Sequence, residues 1–277
     1  MSGDYPPHGT YAPGAMTRLV LALSQNTPLG RGKARKMMAG FVRRLSADEI
    51  DTKLFGQNVR LHMHNNSSEI KALMNPRKYS RREFEFCRAY LPGKDPVFVD
   101  VGANAGLFSL GMIGHMAGGT LIAAEPQPDL FRRLSLNLDR FNANRTDAPQ
   151  LLLHQIALGA EEGDMTLNVP EQLGQASARV LDSAQTMTVP MRPLFGVLHD
   201  AGVRRVDVMK IDVEGYEDEI TIAFIEQAPA ELWPRAIVLE HCHRDRWVRD
   251  CEAVLVEHGY KVASSDRTNL MLVRGAA

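Results

Sequence analysis

The feature that most constrains this chain is a change of texture after Pro96. From there, short apolar runs alternate with amphipathic stretches, because a parallel strand buried on both faces is apolar throughout while the helix returning the chain needs one apolar face. Strands are expected at residues 97–101, 120–124, 151–157, 206–211, 236–239, 261–264 and 269–273, and helices at about 107–115, 129–141, 193–201, 216–226 and 247–258. The last two strands stand too close in sequence for a helical crossover, so they must pair antiparallel. Between the third and fourth strands, residues 165–169 and 186–191 read as an added hairpin that shapes a pocket. The expected fold class is α/β: a Rossmann-like, mostly parallel seven-stranded sheet with an antiparallel last strand, plus an N-terminal helical extension.

With 277 residues, 44% hydrophobic and 23% charged, the chain can bury one large core of this kind. Residues 1–15 carry little that can pack and are expected to be a disordered leader. Residues 16–95 should form a mainly helical extension that caps the mouth of the main domain, residues 96–277. Within it, residues 17–46 suggest one or two basic amphipathic helices, 60–64 a short strand, and 81–91 a helix ended by Pro92-Gly93. The basic face reads first as solvated helix surface, with an acidic partner or a membrane surface as the alternative. A formal charge of −1 argues against a nucleic-acid partner. Cys87, Cys242 and Cys251 lack the spacing of a zinc site or a disulfide framework, so a reducing cytoplasm is the expected location. The most apolar stretch near the start, residues 19–23, is too short to span a bilayer. Oligomeric state leaves no mark on the sequence.

The chemistry concentrates at strand ends. Asp100-Val-Gly102-Ala-Asn104-Ala-Gly106 closes the first strand, and its glycines let the backbone turn sharply and approach a ligand. Amides at the start of the next helix suit a carboxylate, such as that of a methionyl group, and Asp100 can balance an ammonium. Glu125-Pro126, which follows the second strand 23 residues after Gly102, offers a carboxylate to both hydroxyls of a ribose. With Ala157 at the end of the third strand, Asp100, Gly102, Gly106, Glu125, Pro126 and Ala157 are the expected cofactor-binding residues, a set suited to S-adenosylmethionine. A nicotinamide dinucleotide, and with it an oxidoreductase, is the rival. It fits less well, because the loop is not G-x-G-x-x-G and Asp100 would repel a pyrophosphate.

Three motifs in order, Asp100-Val-Gly-Ala-Asn-Ala-Gly106, Glu125-Pro-Gln-Pro128 and Lys210-Ile-Asp-Val-Glu-Gly-Tyr-Glu217, resemble those of the FkbM-type S-adenosylmethionine-dependent methyltransferases over residues 79–273. The resemblance implies Asp100, Gly102, Asn104, Gly106 and Glu125 as cofactor contacts and O-methylation of a hydroxyl, commonly on a sugar of a glycan, lipopolysaccharide or glycosylated natural product; a mostly parallel sheet finished by an antiparallel hairpin is the arrangement of class I methyltransferases. Two departures stand out: Arg192-Pro193 replaces a frequent Leu-Asp pair, and Glu240-His241-Cys242-His243 puts a cysteine where the family's Glu-x-His has its histidine. Asp212, Glu240 and His241 are the expected catalytic residues, at the carboxyl edge of the sheet where ligands of open α/β sheets bind. In one reading, Asp212, His241 or His243 removes the hydroxyl proton. In the other, Asp212, Glu240 and His241 hold a divalent cation that acidifies the hydroxyl, as catechol-type methyltransferases do. The metal-free reading is preferred, since a histidine suits magnesium less well than oxygen ligands do. Glu217 is expected only to start a helix. A protein that keeps the fold and binds without catalysing is the alternative from another class.

Overall fold

A computed structural model describes residues 5–140, 146–169 and 185–275. Two helices lead, α1 (Ala15–Asn26) and α2 (Gly32–Leu45), joined by a 3-10 turn at Pro28–Gly30. A hairpin follows, β1 (Glu49–Leu54) and β2 (Gln57–His62), paired antiparallel from Glu49↔His62 to Leu54↔Gln57. Its two loop residues, Phe55 and Gly56, both have positive φ, 53° and 82°, as a two-residue turn of matching twist requires. The sequence leaves β1 unannounced because phenylalanine rarely adopts that conformation. Here its ring is held against those of Tyr79 and Phe84 at 6.0 and 5.2 Å between centroids.

The leader departs from expectation. Residues 5–14, read as disordered, lie against this hairpin and complete a buried ion pair. Arg60 and Asp51 meet at 2.7 Å with side chains almost fully buried, and such a pair is tolerable only if its remaining polar atoms find partners. The leader supplies them. The amides of Gly9 and Tyr11 donate to Asp51 Oδ2 at 2.8 and 3.0 Å, and Arg60 Nη2 donates to the Pro6 and Pro7 carbonyls at 3.1 Å each.

Then come α3 (Ser67–Met74), capped by the Asn66 side chain, and α4 (Arg81–Tyr90). The main domain runs β3 (Val97–Val101), α5 (Leu107–Ile113), β4 (Thr120–Ala124), α6 (Pro128–Ser135) with a π turn at Leu136–Arg140, and β5 (Gln150–His154). It continues through β6 (Ala157–Gly159), β7 (Gly163–Asn168), β8 (Thr186–Pro193), α7 (Leu194–Asp200), β9 (Val208–Ile211) and α8 (Glu217–Gln227). It ends with β10 (Ala236–Glu240), α9 (Cys251–Glu257), β11 (Tyr260–Ser265) and β12 (Asn269–Arg274).

Among the described residues, seven strands form one sheet in the order β11-β12-β10-β9-β3-β4-β5. Neighbours are parallel from β5 to β10, and β12 is antiparallel to both β10 and β11. This is the class I methyltransferase arrangement expected from the sequence. The third expected strand is really two: β5 joins the main sheet, whereas β6 leaves it to pair parallel with β8, whose other neighbour is the antiparallel β7. The expected hairpin is therefore β7–β8, with residues 170–184 outside the described ones. The last helix starts later than expected, at Cys251, because the Asp250 carboxylate caps it by accepting from the Glu252 and Ala253 amides.

Alternation along the strands divides the core. Phe98, Leu121, Val208 and Val238 face one side, in a cluster that includes Val42, Ile50, Leu61 and Leu73 of the extension. Val99, Ile122, Met209 and Leu239 face the other, against α7, α8 and α9. The extension thus covers a sheet face that would otherwise meet water. Strand order reverses at β3, with β4 on one side and β9 on the other, so a crevice opens beyond their carboxyl ends. Among the described residues no helix is long and apolar enough to cross a membrane.

Candidate active site

That crevice is a cavity of about 630 Å³, within the range of small-molecule sites. One wall is built from the loop after β3. Gly102 has φ of +75°, and a Cβ there would collide with the backbone carbonyl of Asp212, so only glycine lets this loop close on the end of β9. Asn104, also at positive φ (54°), donates its amide to Glu125 Oε2 at 2.8 Å, and its side-chain oxygen accepts from the Ala105 amide and from Asn66 Nδ2 of the extension. The other oxygen of Glu125 accepts from the Gln127 amide at 2.9 Å. Burial pushes the Glu125 carboxyl up to about 7 against those two hydrogen bonds. Gly102, Asn104, Glu125, Pro126 and Ala157 all line the cavity, with apolar Ile156 and Leu158 beside them.

Two residues of the expected cofactor set lie elsewhere. Asp100 is fully buried and does not reach the cavity; it accepts from the Ser109 hydroxyl at 2.6 Å and faces Lys210 Nζ at 3.8 Å. The cation it balances belongs to the protein. Gly106 does not line the cavity either. A Cβ there would press on Leu134, so its role is the close packing of the helices behind the loop.

Beside this loop, toward β9 and β10, the cavity wall is acidic. Register sets Lys210 of β9 beside Asp100 of β3, and from there its ammonium reaches Asp212 Oδ2 at 2.9 Å. Burial alone would lower the Lys210 pKa, but Asp212 and Asp100 raise it above the ordinary lysine range. Asp212 shows the same contest with the opposite sign: burial pushes its carboxyl up, and the Lys210 ammonium prevails and holds it low. Glu240 ends β10 nearby. Burial, reinforced by the Asp212 charge, pushes it up to about 9, so it keeps its proton at neutral pH. Glu214, raised to about 7 by burial and the charges of Asp212 and Glu217, stands 3.1 Å from His243 Nε2. Carboxylate oxygens of Asp212, Glu214 and Glu240 lie within 4.8 Å of one another.

The expected catalytic trio is not assembled. Asp212 and Glu240 face the cavity, but His241 does not line it, and its Nε2 meets the Asp266 carbonyl at 2.8 Å. The chain turns as soon as β10 ends, with the Arg244 amide donating to the His241 carbonyl, and Cys242 and His243 line the cavity instead, so the ligand set Asp212, Glu240 and His241 does not form. Lys210 and Glu214, not among the expected catalytic groups, are part of the site. Glu217 serves the turn more than the helix: it accepts from the Val213 and Gly215 amides at 3.0 Å each and from the Trp247 indole at 2.9 Å. The extension adds Arg31, Arg35, Ser67, Lys71 and Tyr79 to the lining.

A methyltransferase FkbM domain matches residues 100–262. The chain is 30% identical over 200 residues to the 31-O-demethyl-FK506 methyltransferase FkbM of Streptomyces tacrolimicus, covering 62% of this chain and 75% of that one. It is 26% identical over 192 residues to Methyltransferase 1 of Beauveria bassiana, covering 61% and 74%. Over 231 residues it is 27% identical to the AMB antimetabolite synthetase AmbE of Pseudomonas aeruginosa, where the match spans 65% of this chain but only 10% of the synthetase.

Proposed function

This chain belongs to the FkbM methyltransferase family, and on that premise we propose that it is an S-adenosylmethionine-dependent O-methyltransferase acting on a hydroxyl of a saccharide. The observation that carries the reading is one cavity with a shaped, hydrogen-bonded wall and an ion-paired acidic wall. Gly102, Ala103 and Asn104 would hold the amino-acid part of the cofactor, Glu125 the ribose hydroxyls, and Ile156 to Leu158 the adenine. The fit rests on the donor set: Glu125 lines the cavity with a carboxylate whose accepted bonds leave lone pairs for a diol. The bound cofactor supplies an activated methyl group on a sulfonium that leaves as a thioether.

The protein's own share is alignment and one proton. Asp212 accepts the acceptor's hydroxyl proton as the carbon–oxygen bond forms. Its low basicity suffices, because the oxygen becomes a far stronger acid while it gains the methyl group. Lys210 keeps Asp212 ionised, and Glu240, protonated, donates to it and fixes its orientation. The Lys210 ammonium beside Asp212 already fills the place of a cation, which favours the metal-free route. Oxygen as the acceptor atom is supported by the name of the Streptomyces relative. A saccharide is supported by the polar lining of the cavity, where Ser67, Ser68, Asn75, Thr268 and Asn269 offer partners to several hydroxyls. The proposed location is the cytoplasm.

Two measurements test this. Titration calorimetry should show binding of S-adenosylmethionine and its demethylated product in the micromolar range, and mass spectrometry of a saccharide panel should show a methyl group gained on oxygen. Absence of heat at millimolar cofactor would leave only a binding protein of the same fold. Methyl transfer to nitrogen or carbon would overturn the oxygen assignment.

A further inference from the structure

The helical pair at the N-terminus carries a surface that methyl transfer does not use. Met16, Leu19 and Leu23 of α1 are 59%, 54% and 42% exposed, and Met37, Phe41 and Leu45 of α2 are 55%, 46% and 48% exposed. Their spacings, three then four and four then four, put each trio on one side of its helix. These are second apolar faces. The first faces, with Leu21 of α1 and with Met38 and Val42 of α2, are already spent on the core they share with the sheet. The helices pack against each other, with Thr17 near the start of one bonded to Ser46 at the end of the other at 2.9 Å. Two antiparallel helices lying on one core turn their remaining faces outward together, which makes the exposed rows one surface.

Charge on this pair is equally one-sided. Residues 15–45 contain seven Arg and Lys and no Asp or Glu, leaving 25 basic against 33 acidic residues for the rest of the chain. Lys33, Lys36 and Arg44 are exposed and form no ion pair among the described residues. An ordinary solvated helix face mixes signs and leaves few large apolar groups in water.

We propose that α1 and α2 form a docking surface for an anionic lipid bilayer, with the apolar rows entering the headgroup boundary and the flanking cations meeting lipid phosphates. A second copy of the chain is the poorer occupant, since it would set the exposed Lys33, Lys36 and Arg44 against their own copies with no acid in either helix between them. Neither helix can span the bilayer, so the attachment is peripheral. Docking has a consequence for the site that does rest on the methyl-transfer reading. The turn between the helices lines the cavity through Gly30 and Arg31, so a docked protein holds its acceptor pocket at the lipid surface, where a lipid-linked saccharide would present its hydroxyls.

The test is co-sedimentation of the full chain with vesicles of phosphatidylcholine alone or of equal parts phosphatidylcholine and phosphatidylglycerol. Binding is expected to the mixed vesicles only and to weaken as salt rises. The triple variant Leu19→Gln, Met37→Gln, Phe41→Gln should lose it by at least about tenfold, and each of Lys33→Gln, Lys36→Gln and Arg44→Gln by about fivefold. All these positions are exposed, and an unchanged thermal melt checks that the variants fold. Equal binding to both vesicles, binding to neither, or full binding by the triple variant would overturn the proposal. So would a dimer in sedimentation velocity that the triple variant dissociates, or an acidic protein partner that alone responds to the substitutions. Cofactor calorimetry on the same samples keeps a failure of docking separate from a failure of the methyl-transfer reading.

Discussion

Two walls of the cavity are built on different principles. At the glycine loop, polar groups are satisfied by one another: Glu125 takes two backbone amides, Asn104 is tied on both sides, and Gly102 is fixed by the backbone carbonyl opposite. At the end of β9 and β10, buried charges compete, with Lys210 between Asp100 and Asp212, and Glu240 protonated beside them with one oxygen lacking a partner. One wall is specified by shape and the other by charge balance. Substitutions at the first should therefore register as affinity and stability, and at the second as rate and pH dependence.

The largest effect expected from this contrast is in Asp212→Asn, where turnover should fall by about 10²- to 10⁴-fold while calorimetry finds the cofactor bound about as tightly as before. Normal turnover would remove Asp212 from the chemistry, and His243→Gln would then be the variant to measure. Gly102→Ala comes next. Its Cβ overlaps backbone rather than a flexible side chain, so cofactor affinity should drop on the order of a hundredfold and the thermal midpoint should fall as well. Unchanged binding would mean that shape does not govern that wall. Glu125→Gln should weaken the cofactor by about tenfold, the value of one charge-assisted hydrogen bond, with kcat nearly intact.

The smallest effect is thermodynamic. Glu240 is held protonated in the folded state up to about pH 9, well above its ordinary 4.5, so its contribution to stability is complete below pH 4.5 and is lost as pH rises toward 9. Glu125 and Glu214, both raised to about 7, act in the same direction. Melts of Glu240→Gln should accordingly decline less between pH 5 and pH 9 than those of the parent. A steeper decline would contradict the protonated assignment.

Much of the fold is legible in the sequence where burial on both faces leaves apolar runs, as in β3, β4 and β10. The loop after β3 is legible for a different reason: its glycines stand where a strand must turn. Other features depend on pairings that no local pattern encodes. The leader orders because Arg60 and Asp51, within one hairpin, bury a salt bridge that needs outside partners. The sequence points to His241 and the structure to His243, because spacing alone does not say which of two nearby histidines faces inward once a strand has ended. Asp100 did carry a usable signal. A charge inside an apolar strand calls for an opposite charge at the same depth, and Lys210 is such a residue in the neighbouring strand.

The hydrogen bond from Asn66 to Asn104 joins the cap of α3 to the loop that would hold the cofactor. Two segments 38 residues apart in sequence are therefore tied together at that loop. Whatever fastens the loop also fastens the extension, so a ligand at saturating concentration should make the first ninety or so residues slower to exchange amide hydrogens and slower to be nicked by protease. The extension is in this sense a reporter of occupancy, readable without any assay of the reaction itself.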